Sequence, residues 1–371
     1  MTKHSSAKQA VVVNTDASPK NDNSTKIESA AIYAALVSGA VGFLVSLALF
    51  WDSTTALFTK GISIGFVASI LATIIALVTY LLADRSARKA SSKRKLSEHI
   101  GTWSIAIVHA LLILLTYALI FFIVGRSFIG AEIDPFGSST IVALATGMAG
   151  YITYLSAAQM NSMRIAILLA LFLVSGTFIS MLSASDPNWW YVHFSSLGAD
   201  SGVSSYAFNG TLIIAGVAMV GLTKHITDDF KKLQHEKGLA KRTKTRTLAV
   251  CIIGIGIMLA LVGAFVYNVF PTIHNLAAGG MASFFLLIIL ALPWLTPDFP
   301  KAFFVASYGL FAALLLGMWL YQTAGYFNLT IFELVAAAII FTWLIVFVRY
   351  IAAMLEDRDT INSEIIHGGQ L

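Results

Sequence analysis

The sequence predicts an all-α, polytopic transmembrane helix bundle of about ten spans with both termini in the cytoplasm. Hydrophobic residues make up 57% of the 371 positions and charged residues only 12%, whereas charged residues approach ~25% in a water-soluble globule. A helix needs about 20 apolar residues to cross a hydrocarbon core about 30 Å thick. The apolar stretches of this chain are long enough for ten crossings, so lipid is the expected solvent.

The ten predicted spans follow one another along the chain with polar connections between them. Trp and Tyr collect at the headgroup level of a bilayer, and Trp51, Trp103 and Tyr350 lie near predicted span ends. The sixth and eighth spans are the shortest, so the pattern defines their ends least well. The predicted spans are residues 31–51, 62–82, 103–124, 140–158, 165–183, 207–222, 248–269, 281–295, 303–321 and 329–349.

Lysine and arginine residues predict the orientation, because cytoplasmic loops of membrane proteins collect these residues. With ten spans and the N-terminus inside, every one of the 24 Lys and Arg residues except Lys60 and Arg126 falls on the cytoplasmic side. Losing or merging one span would invert all later loops and remove this bias, so the span count and the orientation support each other. The predicted location is the plasma membrane.

The formal net charge of +5 is explained by these basic loops, and no nucleic-acid partner is predicted. The longest basic loop begins at Lys224 and ends at Arg246, and we expect it to contact anionic lipid of the inner leaflet. Membrane lipids are therefore the predicted partners, and no cofactor is predicted. The single Cys251 excludes an intrachain disulfide.

Composition sets apart a tail at each end of the chain. Residues 1–30 are rich in Ser, Thr, Asn, Asp and Lys, and they predict a disordered cytoplasmic tail because they carry too little apolar surface to bury a core. Residues 351–371 are the predicted cytoplasmic C-terminal tail. Between the tails, the two long basic loops at residues 85–95 and 224–246 divide the spans, and loop lengths alone would set a boundary at either one.

The most distinctive stretch of the chain is a polar loop between the fifth and sixth spans, which begins at His193 and reads HFSSLGADSGVSSYAFNG. Ser-Ser-Leu-Gly at residues 195–198 lies just outside one span, and Phe208 and Asn209 open the next. This pattern resembles the DUF998 family of uncharacterised bacterial membrane proteins. It is more distantly similar to the eukaryotic Frag1/DRAM/Sfk1 membrane proteins.

A second similar element is the outer segment FPTIH at residues 270–274, which small residues connect to the eighth span. The resemblance covers about residues 165–349. It implies a six-span unit at residues 165–350 and leaves residues 31–164 as an N-terminal extension of four spans. It implies no particular reaction because the chemistry of the family is unknown. Function has to be argued from the site itself.

Polar side chains on the predicted outer side form one candidate pocket. An ionisable group inside a membrane is costly and is a candidate functional residue by default. Glu333 lies about four residues into the tenth span, roughly 6 Å below the outer surface at a rise of ~1.5 Å per residue. If the sixth, seventh and tenth spans are neighbours, one pocket results. Its candidate residues are His193, Ser195, Ser196, Asp200, Asn209, His274, Asn275 and Glu333.

Two enzyme classes use such residues, but neither has a complete motif here. Two His and two carboxylates are a set that can bind zinc and polarise water, yet the chain has no H-E-x-x-H, and no metal site is predicted. A Ser-His-Asp arrangement is conceivable, yet no G-x-S-x-G surrounds Ser195 or Ser196. In the structural alternative, Ser and Asp cap the sixth helix, Gly198 and Gly202 form tight turns, and Asn209 bonds between helices.

The predicted function is that of an integral plasma-membrane protein that handles lipid or binds a partner without catalysis. The first alternative is a membrane-embedded hydrolase that depends on metal or Ser and uses the outer His, Asp and Glu residues. The second is a secondary transporter or permease subunit, although no span has a charge at its centre and Pro271 and Pro293 lie at span ends. His109, in the inner half of the third span, is expected to hydrogen-bond to a neighbouring helix.

Overall fold

The structure, a computed structural model, describes residues 19–52, 55–56, 62–87, 96–235 and 242–368. Within these ranges, ten helices are long and apolar enough to cross a membrane. The predicted all-α polytopic bundle is therefore confirmed, and the chain is an integral membrane protein. Its helices are α1 (Pro19–Phe50), α2 (Ile64–Ala87), α3 (Leu96–Ser127), α4 (Pro135–Ala158), α5 (Ser162–Leu182), the single turn α6 (Ser196–Ala199), α7 (Val203–His235), α8 (Arg242–Ala264), α9 (Pro271–Leu295), α10 (Lys301–Gln322) and α11 (Leu329–Gly368).

Local residue choice explains where several helices begin. The Asp134 side chain caps α4 by accepting hydrogen bonds from the amides of Phe136 and Gly137. Pro135 opens that helix, at a position where no amide hydrogen is needed. Asn161 caps α5 in the same way. Next to the start of α4, the strands β1 (Thr55–Ala56) and β2 (Glu132–Ile133) pair in antiparallel register.

The first and last helices extend beyond the predicted spans. Because α1 begins at Pro19, residues 19–30 are helical, and the prediction of disorder is wrong for them. The remainder of that predicted tail, residues 1–18, lies outside the described residues. At the other end of the chain, α11 continues to Gly368 through the predicted C-terminal tail. Hydropathy marks only the part of a helix within hydrocarbon, whereas helical hydrogen bonding continues beyond it.

The sixth and eighth spans are also longer than predicted. Helix α7 runs to His235, so much of the predicted basic loop that begins at Lys224 is helical; residues 236–241 lie outside the described residues. Helix α9 begins at Pro271, which places His274 and Asn275 in its first turns rather than in a loop. In both cases polar or small residues within the helix lowered the local hydropathy.

Successive long helices run in opposite directions, so their connections lie at two ends of the bundle. We call the end with the α5–α7 connection, residues 183–202, the His193 end. The opposite end, where Asp84 of α2 and Lys224 of α7 line a common cavity, is the Lys224 end.

One large buried core joins helices from both halves of the chain. It includes Ile105 of α3, Phe230 of α7, Phe285 of α9 and Trp343 of α11. The core therefore crosses the predicted boundary between residues 164 and 165. Trp343 donates a hydrogen bond from Nε1 to the Ser307 hydroxyl at 3.0 Å, which ties α11 to α10.

Helices α3 and α7 meet at two glycines near the Lys224 end. A Cβ built on Gly221 would lie 2.7 Å from the Cα of Gly101, and one on Gly101 would lie 3.3 Å from the Cα of Gly221. Small residues allow such close backbone approach between membrane helices. This crossing brings α3 of the N-terminal extension against the six-span unit.

Candidate functional site

The α5–α7 connection is folded by hydrogen bonds from its own polar residues. The Asp200 carboxylate accepts bonds from the amides of Ser185 and Ser201, each at 2.7 Å. These bonds hold the pKa of Asp200 below its ordinary value, because they stabilise the charged form. Gly202 has a φ of 73°, a left-handed conformation that suits glycine. The chain thereby reverses into α7.

Glu333, at the start of α11, ties this connection to the rest of the bundle. Its Oε2 accepts a hydrogen bond from the amide of Phe194 at 2.6 Å. The amide of Ser195 also donates to this carboxylate. Nearby, the Asn328 side chain donates from Nδ2 to the carbonyl of Trp190 at 2.9 Å. The beginning of α11 is thus docked onto the loop through main-chain groups.

His193 lies at the centre of the same contacts. Its Nδ1 lies 3.0 Å from the Ser195 hydroxyl, and its ring contacts Tyr267 edge-on at 4.4 Å between centroids. Tyr267 in turn contacts His274, with centroids 5.7 Å apart. We call these residues, together with Glu333, the His193 cluster. His193, Ser195 and His274 are buried, so the cluster is packed rather than open.

Burial and a neighbouring histidine affect the charge of His193. Burial lowers the pKa of His193 below its ordinary value, because the imidazolium form loses solvation, and the proximity of His274 lowers it further. His274 is held by a 2.8 Å contact between its Nδ1 and the carbonyl of Phe265. Since a carbonyl only accepts, Nδ1 of His274 is the protonated nitrogen.

The other predicted residues hold the backbone or face outward. Ser196 donates from its hydroxyl to the carbonyl of Trp189 at 3.1 Å, and Asn209 donates from Nδ2 to the carbonyl of Gly198 at 2.8 Å. Asp200 closes the loop through the amide bonds described above. Asn275 is exposed on α9. Of the eight candidates, the structure therefore brings together His193, Ser195, His274 and Glu333.

The chemistry available to the His193 cluster is limited by its hydrogen bonds. The Glu333 carboxylate faces main-chain amides. Among the described residues, no carboxylate contacts His193 in the way that orients the imidazole of a hydrolase triad. In the part of the chain that the structure describes, no three His, Cys, Asp or Glu side chains are grouped to hold a metal ion. The arrangement is suited to fixing a loop on the bundle.

At the Lys224 end, a cavity of about 580 Å³ opens between α2, α3, α7 and α8. Its volume lies within the range of about 300–1,000 Å³ that is usual for small-molecule sites. The charged lining residues Asp84, Lys224, Asp228 and Lys231 lie near the helix ends. The sequence patterns did not single out this cavity, because its lining comes from four helices that are distant in the chain.

The inner part of the cavity is apolar and adjoins a buried histidine. Ile105, Val220 and Ile253 line it. Tyr80 also lines the cavity, and its ring lies 4.8 Å from that of His109. Nε2 of His109 lies 2.9 Å from the Ser156 hydroxyl of α4. This is the contact with a neighbouring helix that the sequence predicts.

Comparisons of this chain with protein-family models, with curated proteins and with solved structures find no match.

The sequence reasoning missed Tyr267, the ring between the two histidines, because a lone Tyr near a span end is typical of interface anchoring. It also missed Asp84 and Asp228 as cavity residues. They lie two and six residues beyond the predicted ends of their spans, at residues 82 and 222, so a search for charges inside the membrane did not reach them.

Proposed function

We propose that this chain is a non-enzymatic, lipid-handling protein of the plasma membrane, with both termini in the cytoplasm. The observation that carries the proposal is the 580 Å³ cavity at the Lys224 end, with charged residues at its rim and apolar residues inside it. An amphiphile matches both parts, because its head group pairs with charges and its chains replace water on apolar surface. The His193 cluster has the structural role of holding the loop on α11.

The cavity lining changes along the helix axes from charged residues near the helix ends to apolar residues deeper in the bundle. This is the arrangement that a membrane lipid requires. Ile253 lies ten residues after Thr243, where the α8 span begins, so it is roughly 15 Å along the helix at ~1.5 Å per residue. On α7, Val220 and Gly221 precede Lys224, Asp228 and Lys231, which lie toward the helix end. A lipid of the leaflet at the Lys224 end therefore meets apolar residues at the depth of its chains.

Mass spectrometry of the intact protein, released from a mild detergent, tests for a bound lipid. We expect Ala249→Leu to lower the lipid-bound fraction, because Ala249 lines the cavity and a larger side chain fills it. Val250→Leu is the matched control on the same helix, since Val250 is 52% exposed on the bundle surface. Equal lipid occupancy in both variants would rule out the cavity as the site.

The orientation is tested with single cysteines. Cys251 is the only cysteine of the chain, so Cys251→Ala supplies a background without thiols. In that background we expect Ser201→Cys, at the His193 end, to react with a membrane-impermeant maleimide on intact cells. Lys232→Cys, at the Lys224 end, should react only after the cells are opened. Both positions are exposed in the structure, and the reverse pattern would overturn the proposed topology.

The hydrolase alternative is favoured by one observation, the 3.0 Å contact between Ser195 and His193. Against it stand the burial of both side chains and the engagement of Glu333 with amides. The transporter alternative requires solute to pass between the two ends, which a flux assay in proteoliposomes measures. Lipid binding is proposed ahead of both because it needs only the cavity that the helices form.

A further inference from the structure

The cavity at the Lys224 end has a rim that carries both signs of charge. Asp84 of α2 faces it from one side, and Lys224, Asp228 and Lys231 of α7 face it from the other. Lys231 and Asp228 lie 2.9 Å apart at the exposed edge, where an ion pair contributes little and exchanges readily with other partners. The rim therefore presents cationic donors and carboxylate acceptors to the same ligand.

We propose that the cavity binds an anionic phospholipid whose head group carries free hydroxyls, with phosphatidylglycerol as the simplest example. This inference rests on the proposed lipid-handling function. Lys224 and Lys231 pair with the phosphate. Asp84 and Asp228 accept hydrogen bonds from the head-group hydroxyls. The acyl chains lie along the apolar inner lining.

An anionic lipid is favoured over a neutral one by the charge of the surrounding chain. The segment that follows the end of α2 contains five basic residues within eight positions, namely Arg88, Lys89, Lys93, Arg94 and Lys95. Basic residues next to the membrane attract anionic lipid. The basic residues that follow α2 in the sequence therefore favour an anionic lipid over a neutral one.

Head-group hydroxyls are favoured by the two carboxylates. An ionised Asp is an acceptor only, so a ligand group that hydrogen-bonds to it must be a donor. A bare phosphate head group, as in phosphatidic acid, offers negative oxygens to Asp84 and Asp228 and is repelled by them. Glycerol hydroxyls supply donors without adding charge. The rim thus distinguishes a head group that has hydroxyl donors from a bare phosphate.

The test measures lipid binding to the purified full chain in mixed micelles by mass spectrometry of the intact protein. Phosphatidylglycerol, phosphatidic acid, phosphatidylethanolamine and soluble glycerol 3-phosphate are added separately. We expect phosphatidylglycerol to bind at least several-fold more strongly than each of the others. Glycerol 3-phosphate is expected to compete weakly, because it lacks the chains that occupy the apolar lining.

Charge variants identify the contacts. The double variant Lys224→Gln and Lys231→Gln should weaken phosphatidylglycerol binding roughly thirtyfold, as loss of two phosphate partners implies. Lys232→Gln is the matched control, because Lys232 is a neighbouring exposed lysine of α7 outside the cavity lining. Asp84→Asn and Asp228→Asn should reduce the preference for phosphatidylglycerol over phosphatidic acid. Thermal unfolding of each variant establishes that it is folded.

Two results would overturn the inference in distinguishable ways. Equal binding of phosphatidic acid and phosphatidylglycerol, or stronger binding of phosphatidylethanolamine, would overturn the head-group assignment and leave a lipid-binding cavity in place. Binding of no lipid to the folded protein would overturn the proposed function together with the inference.

Discussion

The carboxylate of Glu333 accepts a hydrogen bond from the amide of Phe194 at 2.6 Å, which joins the start of α11 to the α5–α7 connection across 139 residues of sequence. An acidic side chain at the head of a membrane helix is thereby used to satisfy main-chain donors of a loop. The Asn328 bond to Trp190 reinforces the same docking.

Replacing Glu333 should release the loop. We expect Glu333→Ala to lower the free energy of unfolding by about 2 kcal/mol, because hydrogen bonds to a charged acceptor are worth about 1.5–3 kcal/mol. Glu333→Gln keeps an acceptor and should cost less. Amide exchange of residues 193–198 measures the release directly, and unchanged protection in Glu333→Ala would contradict the docking role.

The stability of the protein should depend on the protonation of His193. Its pKa in the folded state is lowered from an ordinary value of about 6.5, so the folded state binds this proton less readily than the unfolded chain. The stability contributed by neutral His193 is present above pH ~6.5 and is lost as the pH falls through the lowered pKa.

We therefore expect the thermal unfolding temperature to fall between pH 7.5 and pH 5.5, and expect His193→Gln to reduce that fall. His274→Gln should reduce it in part, because burial is the larger cause of the shift and remains in that variant. Asp200 has a lowered pKa of the same sign, but its ordinary value of about 3.9 places its effect at more acid pH. An identical pH response of wild type and His193→Gln would refute the assignment.

A serine-reactive fluorophosphonate probe tests the hydrolase alternative. We expect no labelling of Ser195 in the native protein, because Ser195 is only 7% exposed. Ser195→Ala should lower the free energy of unfolding by about 1 kcal/mol through loss of the contact with His193. Labelling of the wild type that disappears in Ser195→Ala would instead favour a catalytic serine.

The crossing of α3 and α7 should be sensitive to a single methyl group. Gly221→Ala places a Cβ 2.7 Å from the backbone of Gly101, and overpacking of this kind costs about 1–3 kcal/mol. Gly210→Ala is the matched control on the same helix, because nothing lies within 4 Å of its Cβ position. The unfolding temperature should fall in the first variant and not in the second. Equal temperatures would mean that the helices move apart freely.

The sequence predicted the fold better than it predicted the site. Ten spans were predictable because crossing a hydrocarbon layer sets a length and an apolarity that each segment must meet by itself. The candidate residues were grouped because their predicted depth places them on the outer side. Four of them, His193, Ser195, His274 and Glu333, lie together at the His193 end of the bundle. Their roles were not predictable, because which groups Glu333 and His193 contact depends on the packing of helices far apart in sequence. The resemblance to the DUF998 family stays a prediction.

The sequence by itself determined a polytopic helical membrane protein with ten apolar spans, and it predicts that the basic residues gather on the cytoplasmic side. Only the tertiary structure decided that the polar loop is packed against Glu333 and Tyr267, and that an open cavity lies at the opposite end between α2, α3, α7 and α8. The physical reason is that burial in lipid acts on each helix separately. Whether the space between helices is filled depends instead on contacts between segments that are distant in sequence. The close approach of Gly101 and Gly221 is one such contact.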